Sequence, residues 1–225
     1  MLLAVALLAD VLAVFAAVRT ASLAGDILHL SPDVTDDRIR SVNDFHKMAG
    51  WVQKGSLLAA AVPFVAWFHR ARLNAEVFAP AAMRTTPSWA ISGWVVPVLN
   101  LWMGRKIAND IDRATLPPSP DGPPADRPGS KPTGPTRLLL NTWWTLWIGS
   151  IWGGFLYTFV AEFIYLEGST DMDDYAVAIT RIDAFGEAIQ HSVSVFAAIA
   201  AALVVRRITA LQRTRATTFL SLQSA

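Results

Sequence analysis

Asp183, Glu187 and His191 stand four residues apart in turn. On a helix they share one face, with about 6 Å of rise between neighbours. Two carboxylates and an imidazole in that order could relay a proton, hold a cation or work as a general acid–base pair. Lys54 and Glu162 lie at comparable depth in other apolar stretches, so the expected cluster is Lys54, Glu162, Asp183, Glu187 and His191. In a catalytic version, Glu162 and Glu187 are the acids and His191 the proton shuttle. In the plainer and preferred version, the same groups pair across helices and fix their packing, because ionisable groups in an apolar environment are costly unless paired or used. Two carboxylates and one histidine make a poor metal site without a further ligand, so no metal is expected. Asp10 stands alone in its apolar run, with no base assigned to its depth.

A second constellation is basic and aromatic. His69, Arg70, Arg72 and Asn74 follow one apolar stretch, with Arg70 and Asn74 one helical turn apart. Trp94, Pro97, Asn100 and Trp102 come next, then Asn109 and Asp110. An arginine fork matches phosphate oxygens, so the chemistry would be capture of a lipid phosphate or an acidic metabolite. The plain alternative is a cationic anchor with an interfacial aromatic belt. Asn100 can also serve backbone groups that Pro97 leaves unpaired.

Other chemistry is absent from the sequence. There is no cysteine, which removes thiol nucleophiles, disulfides and thiolate metal sites together. No glycine-rich phosphate loop, nucleophile elbow, His-Glu-x-x-His or calcium loop occurs, and no cofactor is expected. A net charge of +1 without a basic face gives no ground for a nucleic-acid partner.

The elements that must position these residues are apolar helices. Of 225 residues, 53% are hydrophobic and only 16% charged, against about 25% charged in ordinary soluble domains. Mean hydropathy is +0.36. Four stretches approach the ~20 residues a bilayer requires, at about 2–24, 50–68, 138–165 and 184–205. A shorter one at 88–103 contains Pro97 and Asn100. The expected fold is an all-α polytopic membrane bundle of four spans in one domain (1–225), with 88–103 re-entrant or interfacial; the alternative is five spans. Residues 2–18 lack the preceding Lys or Arg of a signal peptide and read as a retained span. A start codon placed downstream of the true one would account for the missing polar leader.

Charge sets the orientation. The loop after the first span holds Asp26, Asp33, Asp36, Asp37 and Asp44, and the loop before the last holds Glu167, Asp171, Asp173, Asp174 and Asp183. Arg70, Arg72 and Arg84 precede the short segment, Arg105, Lys106 and Arg113 follow it, and the tail carries Arg206, Arg207, Arg213 and Arg215. Placing every basic segment inside puts both termini in the cytoplasm and both acidic loops outside. Residues 31–48 read as an outer helix capped by Ser31 and running into the second span. Residues 104–114 read as an amphipathic helix in the inner headgroup layer, with Arg105–Asn109, Lys106–Asp110 and Asn109–Arg113 in mutual support. Residues 116–135 hold eight of the thirteen prolines and read as an extended cytoplasmic linker. Gly149 and Gly153 have the spacing that lets helices approach closely.

The run Trp67-Phe68-His69-Arg70-Ala71-Arg72-Leu73-Asn74, then Trp89 to Trp102, then Ala108-Asn109-Asp110-Ile111 resembles the family called domain of unknown function 4328. The resemblance covers roughly residues 50–205, with its specific part at 67–111. It implies a multi-pass protein of the bacterial cell membrane, of a kind frequent in actinobacteria, and implies no chemistry. One departure is Met103-Gly104, where a proline is expected after Asn-Leu-Trp. The leading expectation is a non-enzymatic protein that binds a protein partner or an anionic lipid at its cytoplasmic Arg/Trp face. The alternatives are a membrane-embedded enzyme acting on a lipid or isoprenoid, and a small transporter or channel. Oligomeric state is left open.

Overall fold

The computed structural model describes residues 1–115, 135–166 and 172–223. Among them there are seven helices and no strand: α1 (Leu2–Leu28), α2 (Asp36–Phe78), α3 (Trp89–Val95), α4 (Pro97–Asn100), α5 (Met103–Thr115), α6 (Pro135–Leu166) and α7 (Met172–Gln223). Each of the four long apolar stretches lies inside one long helix. The proline-rich linker and the positions around Gly122 and Ser169 lie outside the described residues, apart from Pro135, which opens α6.

Helix ends follow from local chemistry. Thr35, not Ser31, caps α2: the Arg38 amide donates to Thr35 Oγ1 at 3.3 Å. Asp36 and Asp37 then sit in the first turn, where the helix dipole favours them. Ser31 instead closes the preceding turn, its amide donating to Asp26 O at 2.9 Å while Leu30 N–H donates to Ile27 O. That double bond is a Schellman closure of α1, and it puts Leu30 at φ 50°, a position suited to glycine. Leu30 is 90% exposed, so its side chain contributes no packing. Leu30→Gly is therefore expected to stabilise the protein by about 1 kcal/mol, read as a raised thermal midpoint in detergent.

On two of the long helices, small residues are buried and large apolar ones exposed. On α1 the buried face is Ala6, Ala9, Ala13, Ala16, Ala17, Ala21 and Ala24, whereas Leu8, Val11, Phe15 and Val18 are exposed. On α7, Ala184, Ala188, Ala197 and Ala201 are buried, and Phe185, Ile189, Phe196 and Leu203 are exposed. Small residues inside let helix backbones approach closely, and the large apolar ones lie on the outward faces. By length and composition, α1 and the Ala176–Thr218 part of α7 could each cross a membrane. In α6, positions 138–161 carry no charged residue. Pro63 lies within α2 without ending it.

Two compact units are present: residues 1–60 with 145–199, and residues 61–144 with 200–225. In the first, Gly186 faces Tyr157 so closely that an added Cβ would sit 2.5 Å from the ring, so α6 and α7 meet there. Gly149 faces Val193 at 3.7 Å, but nothing lies within 4 Å of Gly153, so only one of that glycine pair makes a close approach.

Candidate functional site

The second unit is built around a helix that breaks and returns. α3 ends at Val96, which is extended (φ −84°, ψ 114°), and α4 restarts on Pro97, whose missing amide suits a first turn. α5 then packs back against α3. With seven residues, α3 is about 10 Å long. Gly93 lies under Met103, and Gly104 admits two rings: an added Cβ there would meet Trp144 at 2.9 Å and Trp94 at 3.1 Å. A side chain at Gly104 would collide with two indoles that occupy its space.

Trp94 is the centre of an aromatic core. Phe64 and Phe68 meet it edge-on at 5.4 and 5.5 Å, and Trp143 and Trp144 lie at 6.2 and 6.1 Å. The Trp144 indole N–H donates to Leu101 O at 3.2 Å, which fixes the turn into α5.

Arg72 is 1% exposed and donates to Glu76 at 3.0 Å and to Thr85 O at 2.5 Å. His69 Nδ1 lies 3.2 Å from Pro87 O. Asn74 donates to Gln212, which itself donates to Ala71 O. These three expected ligand-binding residues hold the 79–88 connection and α7 against α2. Arg70 is exposed two positions before Arg72.

Asp110, 1% exposed, accepts from Arg84 Nε at both oxygens (3.0 and 3.3 Å), from Arg84 NH2 (2.6 Å) and from Arg113. The expected Lys106–Asp110 support is thereby replaced, because Asp110 turns inward to two arginines. Arg105 reaches Asn141 at 2.6 Å rather than Asn109. The third expected pair forms through the backbone, Arg113 Nε donating to Asn109 O at 3.3 Å.

A cleft of about 230 Å³ opens beside this network. Arg84, Arg105 and Lys106 supply its charge, Trp102, Trp144 and Leu101 its apolar wall, and Asn109 one amide. Among the described residues no carboxylate lines it. Asn109 Oδ1 is buried with no hydrogen-bond partner among the described residues. Of the expected site residues, Trp102 and Asn109 line the cleft and Asp110 positions one of its cations. Asn100 is half-buried outside its lining, and the Pro97 side chain lies outside the described residues. Sequence reading missed Arg84, Arg105, Lys106 and Trp144 as a group. The available signal was the adjacent Arg105-Lys106 pair directly after Trp102, at the head of a sharply amphipathic helix.

Asp112, on the buried face of α5, has neither carboxylate oxygen hydrogen-bonded among the described residues. Burial raises its pKa from 3.8 to about 6, against the opposing pull of Arg207 and Arg113. The folded protein therefore holds this proton more tightly than the unfolded chain. The resulting stabilisation is complete below pH 3.8 and is lost as pH rises through about 6. Asp112→Asn is expected to be more stable than the parent above pH 6 and to flatten this slope, as read from denaturation midpoints across that range.

In the first unit the polar residues of α7 find different partners from those expected. His191 Nδ1 lies 3.2 Å from Asp10 Oδ1, and Gln53 Nε2 donates to the same oxygen at 3.2 Å. Glu187 Oε2 lies 3.4 Å from His46 Nε2. Lys54 is exposed, its ammonium 5.7 Å from the Trp51 ring centre, and so stands apart from the cluster. Asp183 Oδ1 is buried without a partner, and the Glu162 side chain lies outside the described residues. Among the described residues no group of His, Asp and Glu is placed to hold a metal ion.

Long apolar helices packed on alanine, with a broken helical hairpin beside a cationic cleft, define the class of protein. The chain belongs to the family described as domain of unknown function DUF4328, whose profile matches residues 31–210. That match extends the resemblance at its N-terminal end, taking in the turn and cap that open α2. No curated protein and no solved structure matches the chain.

Proposed function

We propose that this is a four-span integral membrane protein whose inner-face cleft binds the phosphate of an anionic lipid headgroup, a binding rather than a catalytic role. The observation that carries it is the cleft: three cations and two tryptophans converge, and although Asp110 pairs with Arg84, Arg105 and Lys106 have no ion-pair partner among the described residues. Indole rims favour the headgroup level of a bilayer, and arginine and lysine favour its anionic surface. The alanine-inside, phenylalanine-outside packing of α1 and α7 supports the lipid environment. The fold-back of α5 on α3 supports a segment that returns to the side it left, since ~30 Å of hydrocarbon is far longer than α3.

Native mass spectrometry in nanodiscs of mixed phosphatidylglycerol and phosphatidylcholine tests the binding. Retained phosphatidylglycerol is expected; equal retention of both lipids, or of a protein partner instead, overturns it. Orientation is tested separately by Gly122→Cys and Ser169→Cys with an impermeant thiol reagent in intact cells. Labelling at 169 and protection at 122 is expected.

A further inference from the structure

The side chains that line the cleft are almost all hydrogen-bond donors. Arginine, lysine and tryptophan side chains give hydrogens and accept none, and leucine does neither. Asn109 Oδ1 is therefore the one side-chain acceptor in the lining, and it is buried with no hydrogen-bond partner among the described residues. The backbone acceptors beside it are occupied. Leu101 O accepts from the Trp144 indole, Trp102 O from the Lys106 amide and Asn109 O from Arg113 Nε. Nearby guanidinium groups point elsewhere, Arg84 and Arg113 to Asp110 and Arg105 to Asn141. An acceptor left unpaired in a buried position is costly, so this oxygen calls for a donor from outside the chain.

The cleft lies wholly within the second unit. In that unit Trp67 Nε1 donates to Thr209 and Asn74 to Gln212, so α2 and α7 run in the same direction. Two spans that run the same way need a return crossing between them. In the four-span arrangement proposed above α6 supplies it, and the hairpin of α3, α4 and α5 begins and ends on the side where α2 ends. The cleft then opens at headgroup level. At about 230 Å³ it is smaller than the ~300–1,000 Å³ of sites that enclose a drug-sized ligand, so it has room for a headgroup and not for a whole lipid.

We infer that the cleft selects a polyol phosphodiester headgroup: its cations take the phosphate oxygens, and Asn109 Oδ1 accepts a hydroxyl hydrogen from the polyol. This selection rests on the anionic-headgroup reading above and adds a second point of recognition to it. A phosphodiester with a plain alkyl head has no hydrogen to give and would leave Oδ1 unpaired. An ammonium head has hydrogens but would enter beside three like charges. A hydroxyl brings the hydrogen without the charge.

The test is native mass spectrometry of the full chain in phosphatidylcholine nanodiscs carrying equal amounts of phosphatidylglycerol and phosphatidylpropanol. These two anionic lipids share charge and carbon skeleton and differ only in the hydroxyls. Both should be retained over phosphatidylcholine, and phosphatidylglycerol about fivefold more than phosphatidylpropanol. Asn109→Leu removes the acceptor with little change in size. It should lower phosphatidylglycerol to the level of phosphatidylpropanol and leave the latter unchanged. Equal retention of the two anionic lipids by the parent protein overturns the hydroxyl contact and leaves the phosphate reading standing. Retention of neither over phosphatidylcholine overturns both. An equal fall of the two lipids in Asn109→Leu overturns Asn109 as the acceptor. Glycerol phosphate added in solution should displace nothing; displacement assigns the cleft to a free polyol phosphate and overturns the lipid as its source.

Discussion

Asp110→Ala is expected to cost about 3 kcal/mol, near the lower end of what breaking a buried ion pair costs. The carboxylate is 1% exposed and serves two guanidinium groups. Those groups do not share the damage equally. Arg84 is 35% exposed at its side chain and can regain water. Arg113 is 6% exposed, so water cannot take the place of the lost carboxylate there. The loss is therefore dominated by Arg113, and Arg84→Gln should cost much less. Asp110→Asn, which keeps an acceptor but no charge, should fall between the two. Denaturation midpoints in detergent order the three variants. A cost for Asp110→Ala below about 1 kcal/mol would mean that Arg113 is solvated by another route.

The gross architecture was legible because it depends on composition over long windows. Each of the four long apolar stretches falls within a long helix, and Pro97 with its neighbours marks a real break between α3 and α4. Partners across helices were not legible, because they depend on helix rotation, and one residue turns a helix by about 100°. Arg70 and Arg72 show it: two positions separate an exposed arginine from one that is 1% exposed and structural. Lys54 has the depth to meet the α7 carboxylates but lies over Trp51 instead. Asp10 had no partner assigned because its partner, His191, is 181 positions away. Ser31 and Thr35 are both good caps by type, and only the Schellman closure of α1 decides between them.

The same rotation argument makes the cleft testable in isolation. Arg84 is already neutralised by Asp110, while Arg105 is held by the uncharged Asn141 and Lys106 has no ion-pair partner among the described residues. Two positive charges are thus left for a ligand. Charge-assisted bonds of this kind contribute roughly 1.5–3 kcal/mol each, and about 1.4 kcal/mol is a tenfold change in affinity. Arg105→Ala or Lys106→Ala should each weaken phosphatidylglycerol retention about tenfold, and reversing both to Glu should weaken it at least about 100-fold. Neither side chain is buried, so the thermal midpoint should hold. Arg70→Ala is the control, since it removes an equal charge from an exposed position outside the cleft lining. Attraction to the membrane by net charge alone would make all three arginine and lysine truncations equivalent; a local site makes only two of them matter.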